Sequence, residues 1–168
     1  KGAGLDPLAL PVELQTALEA LYGHYEQTYE LWKKAGIEVP PCFIVVCNNT
    51  ASSKLVYDYI AGFEHKPDKS GVTQPPFLGK FELFRNYNEH GERLAQPRTL
   101  LIDSEQLESG EGLDKSFKDI AKDEIERFRR ERSERGEAQY SDQISDEELL
   151  REVMNTVGAK GKLGEQIR

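Results

Sequence analysis

Between residues 11 and 35, apolar side chains fall at Leu14, Leu18, Leu21, Tyr22, Tyr25, Tyr29 and Trp32, one stripe at helical spacing, and Gly36 stands where a helix would end. The pattern predicts a long first helix. Pro40 and Pro41 interrupt it, and Phe43 to Val46 then form a continuous apolar run of the kind expected in a strand covered on both faces. A parallel, central strand is the expectation there. Asn49 or Thr50 is placed to cap a second helix with the stripe Ala51, Leu55, Tyr59 and Ile60, and Gly62 is its stop signal.

Residues 65 to 79 are rich in Pro, Gly, Lys and Asp and read as a surface loop, whereas the alternation in KFELFR, residues 80 to 85, predicts a short edge strand. Residues 86 to 97 are loop-like again. Thr99 to Ile102 give a second buried-strand pattern that ends in Asp103 and Ser104. A long polar helix is expected from about Leu113 to Arg135, with Leu113, Phe117, Ile120, Ala121, Ile125 and Phe128 on one side. Its tail, ERFRRERSERGE, alternates acids with bases, so a solvated face laced with i, i+4 pairs is the plainer reading than an arginine-rich nucleic-acid motif. A last helix starts at Ser145, where Ser145 and Glu148 form a capping box, runs through Leu149, Leu150, Val153 and Met154, and stops at Gly158. The order helix, strand, helix, strand, strand, helix, helix predicts an α/β layer fold.

Composition narrows the function classes. A chain of 168 residues is one domain or a large part of one, and a formal net charge of −8 argues against a small basic module that coats nucleic acid by electrostatics alone. Binding through a localised patch stays open. No apolar run reaches the length of a membrane span, and KGAGLDPLALP lacks the layout of a signal peptide, so the expectation is a soluble, cytoplasmic protein. Cys42 and Cys47 lie five residues apart on one predicted strand and point to opposite faces; with His24, His65 and His90 scattered, buried reduced thiols are expected rather than a metal site.

The motifs of chemistry are sparse. The pattern G-x-x-x-x-G-K-[ST] is missing, and so is GxSxG; GAKGKL, residues 158 to 163, has short spacing and follows a helix, so it reads as a flexible loop. What remains is the end of the first strand. Asn48, Asn49, Thr50 and Ser53 supply short amide and hydroxyl groups beside the N–H donors of a helix start, a combination that suits a phosphodiester oxygen, with Lys54 as a further phosphate contact. Ser104, at the end of the second strand, would stand beside them if the strands are neighbours. The plainer account, favoured by spacing alone, is that Asn49 or Thr50 caps its own helix, Asn48 holds the turn and Lys54 is an ordinary exposed lysine.

Three blocks, CFIVVCNNT, RTLLIDSEQLESG and VMNTVGAKGKLGE, together with the long segments around them, closely resemble the helicase-type restriction subunit (Res) of type III restriction-modification systems, a DEAD/DEAH-like superfamily 2 ATPase. The resemblance covers nearly the whole chain. It implies a partial second RecA-like helicase lobe of the P-loop NTPase type, a three-layer α/β fold with a mostly parallel sheet and flanking helices. By resemblance residues 1–36 are a helical segment packed on that lobe and residues 37–168 the lobe itself, with FIVVCNNT as motif IV and the chain truncated before motif V, so that it looks like a piece cut from a longer protein. The implied activity is ATP-dependent DNA translocation or unwinding that feeds a restriction nuclease, with ATP and Mg²⁺ in the full-length protein and no cofactor in this piece. The ATP-binding lysine, the Mg²⁺ carboxylates and the arginine finger of such motors are not in it, so no hydrolysis is expected from it alone. The implied partners are double-stranded DNA, the first RecA-like lobe and a modification methyltransferase subunit. Two other classes remain: a stand-alone protein-interaction domain that docks a partner on helices 11–35 and 113–135, and a small hydrolase using Asp103 and Ser104, for which no base is placed.

Overall fold

The computed structural model describes residues 6–67, 71–94, 96–102, 122–134 and 145–168. Helices α1 (Val12–Lys34), α2 (Thr50–Ala61), α3 (Lys122–Glu134) and α4 (Asp146–Asn155) are joined by irregular segments and by 3-10 turns at Pro7–Ala9 and Glu82–Phe84. The predicted three-layer α/β fold with its mostly parallel sheet is not what the described residues form: among them there is no strand and no sheet, only isolated antiparallel bridges, Phe63 with Phe77 and Tyr87 with Arg93. The partial RecA-like lobe is overturned with it.

Each predicted strand fails for its own reason. KFELFR alternates in hydropathy, yet Phe81 and Phe84, three residues apart, are both fully buried while Glu82 is exposed, and a spacing of three is met by the 3-10 turn that residues 82–84 adopt. Thr99 is held by side-chain bonds instead of a ladder: its N–H donates to Asn86 Oδ1 at 3.1 Å and its hydroxyl to the Phe84 carbonyl at 2.7 Å. Leu100 is drawn toward α3 and α4. The run Phe43 to Val46 has no neighbouring strand among the described residues, because an apolar run asks for burial without specifying a partner.

The helical predictions fare differently. α1 presents Leu18 and Tyr25 fully buried and Tyr22, Tyr29 and Trp32 half-buried, as the stripe requires, while Leu14 and Leu21 at the edge of that stripe are exposed. It stops at Ala35, and Gly36 takes φ +73°. α2 buries Val56, Tyr59, Ile60 and Ala61 and ends on Gly62 at φ +98°. The capping box is formed: Ser145 Oγ accepts from Glu148 N–H, and the Glu148 carboxylate accepts from Ser145 N–H at 3.1 Å. α3 covers the second half of the long polar helix, with Ile125 buried and Phe128 packed beside it; Leu113, Phe117, Ile120 and Ala121 lie outside the described residues.

Two apolar clusters form among the described residues. The larger joins Leu10, Leu18 and Tyr25 to Val56, Tyr59 and Ile60 of α2 and to Phe81 and Phe84, with Phe43 and Cys47 at its margin. Its centre is aromatic: Tyr22 stacks on Phe81 with centroids 4.5 Å apart, and Phe84 meets both Tyr25 at 4.6 Å and Phe43 at 5.3 Å. The smaller gathers Ile125, Leu149, Leu150, Val153, Leu163 and Ile167. Leu150 and Val153 are withdrawn completely from solvent, each contributing about 1.5 to 3 kcal/mol by transfer. The described helices include none long and apolar enough to cross a membrane.

Candidate functional site

The end of the 43–47 run and the start of α2 carry most of the predicted site. Phe43 and Cys47 lie against the larger cluster, whereas Ile44 and Val46 are 77% and 89% exposed and Val45 between them is exposed as well, at 41%. Val45 is less exposed than either neighbour, so the exposure rises and falls with a period of two, as in an extended segment that has one side on a core. The run is anchored upstream, where Tyr25 Oη donates to the Pro41 carbonyl at 2.9 Å. Burial pushes the Tyr25 phenol well above its ordinary range, the Arg168 charge pulling the other way, so it stays a donor at any ordinary pH. Cys42 is exposed and Cys47 half-buried, both free, so the expected burial of both thiols is corrected for Cys42.

At the helix start, Asn49 is extended and its Oδ1 accepts from Ser52 N–H at 2.8 Å; its Nδ2 donates to Asn48 Oδ1 at 2.9 Å. Asn49, then, is the cap, and Asn48 holds it. Ser53 Oγ donates back to the Thr50 carbonyl at 2.9 Å. Lys54 is paired with Asp58, a carboxylate only 12% exposed, and its ammonium stands 5.3 Å from the Tyr57 ring centroid, so its charge is committed within α2. Asn48, Asn49 and Thr50 are nonetheless exposed, and the amides of Thr50 and Ala51 have no acceptor among the described residues. Ser104 lies outside the described residues, and so does Asp103.

A residue that sequence reasoning passed over is the most heavily bonded side chain here. Asn86, in the stretch read as plain loop, is buried; its Nδ2 donates to Tyr57 Oη and to the Thr99 carbonyl at 3.0 and 2.9 Å, and its Oδ1 accepts from the N–H of Arg98 and Thr99 at 2.8 and 3.1 Å. Its backbone bonds Ala61 and Leu94 as well. Nothing in its sequence context marks it, because its partners come from far along the chain.

The GAKGKL segment is wound into successive turns. The N–H groups of Gly158, Ala159, Lys162 and Gly164 donate to Gly164 O, Thr156 O, Ala159 O and Thr156 Oγ1, and that of Gly161 donates to the Glu165 carboxylate at 2.7 Å. Those amides are occupied by the chain itself. Between these turns and the end of α1 lies a cleft of about 510 Å³ whose walls include Tyr29, Trp32, Lys33, Glu38, Lys160 and Arg168. The Lys160 ammonium pairs with Glu38 at 3.3 Å, and the Arg168 guanidinium covers the Tyr29 ring at 5.0 Å. Among the described residues no group of His, Cys, Asp and Glu assembles in the manner of a metal site. No family model matches this chain, and no curated protein or solved structure matches it either.

Proposed function

We propose that the chain is a non-catalytic segment of the ATP-dependent DNA translocase subunit of a type III-like restriction enzyme, and that it holds DNA backbone at residues 48–53. The observation that carries this reading is the start of α2, where two amide N–H groups without an acceptor among the described residues and the exposed side chains of Asn48, Asn49 and Thr50 surround the positive end of a twelve-residue helix. The blocks CFIVVCNNT, RTLLIDSEQLESG and VMNTVGAKGKLGE support it by resemblance. ATP and Mg²⁺ belong, on this reading, to other parts of the complete subunit, and a methyltransferase subunit to its surroundings. Lys54 is left out of the contact set, because Asp58 holds it.

Because phosphate contacts release counterions, the affinity of the purified chain for a short duplex is expected to fall with salt at a log-log slope of about −0.9 per phosphate held. Asn49→Asp separates this contact from folding. The carboxylate still accepts from Ser52 N–H and favours the helix start, so the unfolding midpoint holds while duplex affinity drops several-fold. Salt-insensitive binding, or an Asn49→Asp chain that binds as tightly as the parent, overturns the reading. A second expectation is kinetic: the chain incubated with ATP and Mg²⁺ releases phosphate no faster than a blank, and measurable turnover sinks the non-catalytic assignment.

The second reading, a protein-interaction domain, draws on α1. Leu14, Leu21 and Leu31 on that helix are 36%, 54% and 65% exposed, apolar surface that a partner helix would cover. The flanking gene discriminates: a following strand with a T-E-G-W-D-like motif and a preceding Walker lobe belong to the motor.

A further inference from the structure

The run of residues 43–47 has the apolar composition and the two-residue rise and fall of exposure that suit a strand, and among the described residues it has no neighbour. Phe43 and Cys47 face the larger cluster, Ile44 and Val46 face solvent, and among the described residues no backbone N–H or C=O from Cys42 to Cys47 takes part in a hydrogen bond. Backbone groups in that state are a template for another strand. Residues 39–53 also carry no charge, in a chain whose formal net charge is −8. Two identical acidic molecules can approach through such a stretch without opposing like charges.

We propose that residues 43–47 pair, antiparallel and about a twofold axis, with the same residues of a second copy of this chain. Centred on Val45, that register sets Ile44 of each copy opposite Val46 of the other, and Phe43 opposite Cys47. Outward residues meet outward residues and core-facing residues meet core-facing ones, which is the self-complementarity a twofold interface demands. The solvent face gains two cross-strand pairs of β-branched side chains, the pairing that stabilises sheets most readily. A different partner would have to supply an uncharged, β-branched strand of its own; a second copy supplies one by construction. Five residues of strand cover far less than the roughly 800 Å² per partner of a standard interface, so the dimer is weak, with a dissociation constant on the order of 100 µM.

Sedimentation equilibrium of the purified chain across that concentration range is the test, with Ile44→Lys and Val46→Lys as variants. Both side chains face solvent, so the monomer keeps its fold and its circular dichroism. The parent is expected to shift from monomer to dimer as concentration rises, and each lysine variant to weaken association at least tenfold. Amide hydrogen exchange supplies the second measurement. In the concentrated parent only alternate amides of the run slow, either those of 43, 45 and 47 or those of 44 and 46, and they speed up on dilution. A parent that stays monomeric, or association that survives both lysines and so uses another surface such as the α1 leucines, overturns the pairing. So does protection that is independent of concentration, which would assign the strand's neighbour to a segment of the same molecule.

Discussion

Replacing Asn86 by alanine lowers the stability of the folded chain by about 3 kcal/mol or more, read as a shift of the urea midpoint at unchanged slope. The side chain is buried and serves four partners: it donates to Tyr57 Oη and Thr99 O and accepts from the N–H of Arg98 and Thr99. Truncation takes a partner from each of those half-buried groups, and a group left unsatisfied where water cannot replace the bond costs about 1 to 3 kcal/mol. The damage extends beyond one turn. Asn86 links α2, through Tyr57, to the segment at Arg98, and the Arg98 carbonyl in turn accepts from Arg168 N–H, which lies beside the smaller cluster. Asn86→Asp is the sharper variant, since its shape is kept while a carboxylate oxygen replaces the donor that faces the Thr99 carbonyl. It is expected to lose stability too. A loss below about 1 kcal/mol for the alanine variant would remove Asn86 from the centre of the fold.

Gly79→Ala and Gly62→Ala are expected to be as damaging, for a steric reason. The two glycines lie where the chain crosses itself after α2: Phe63 and Phe77 exchange backbone hydrogen bonds, each at 2.9 Å, and Lys80 N–H donates to Tyr59 O at 2.8 Å. A Cβ on Gly79 would stand 2.5 Å from the Ile60 carbonyl oxygen, and one on Gly62 would stand 2.5 Å from that of Phe77. Backbone atoms cannot step aside as a side chain can. Both residues also sit at strongly positive φ, +100° and +98°, in a region essentially reserved for glycine. Together these costs come to about 3 kcal/mol or more, against a total stability of about 5 to 15 kcal/mol for an ordinary domain. Gly36→Ala is the internal control: φ is +73° there, but no atom lies within 4 Å of the added Cβ, so only the dihedral cost of about 1 kcal/mol remains. Equal losses at positions 36 and 79 would show that the close approach of the two chain segments contributes nothing.

Both predictions bear on the proposed DNA contact, because the crossing and Asn86 fix α2, and α2 presents residues 48–53. Of the side chains the sequence nominated there, Asn49 is engaged as a cap, Ser53 bonds back to Thr50, and Lys54 is held by Asp58. Their types and spacing were readable from sequence. So was the cap at Asn49, the plainer account of that spacing; the pairing of Lys54 with Asp58 one helical turn on went unread, although a charge pair at i, i+4 is itself a local signal.

Local signals settled the parts of this protein that depend on neighbours in sequence. The stripe of α1, the glycines that end α1 and α2, and the capping box at Ser145 each involve groups a few residues apart, and the helix brings them together regardless of what surrounds it. Strands are different in kind. The hydropathy of Phe43 to Val46 and of Thr99 to Ile102 expresses a need for burial, but a ladder takes a second segment in register, and only the tertiary structure decided that Asn86 would claim Thr99 and that Phe43 would join an aromatic cluster instead. In the same way KFELFR has the pattern of a strand and the packing of a 3-10 turn, because two phenylalanines three residues apart had one cluster to reach.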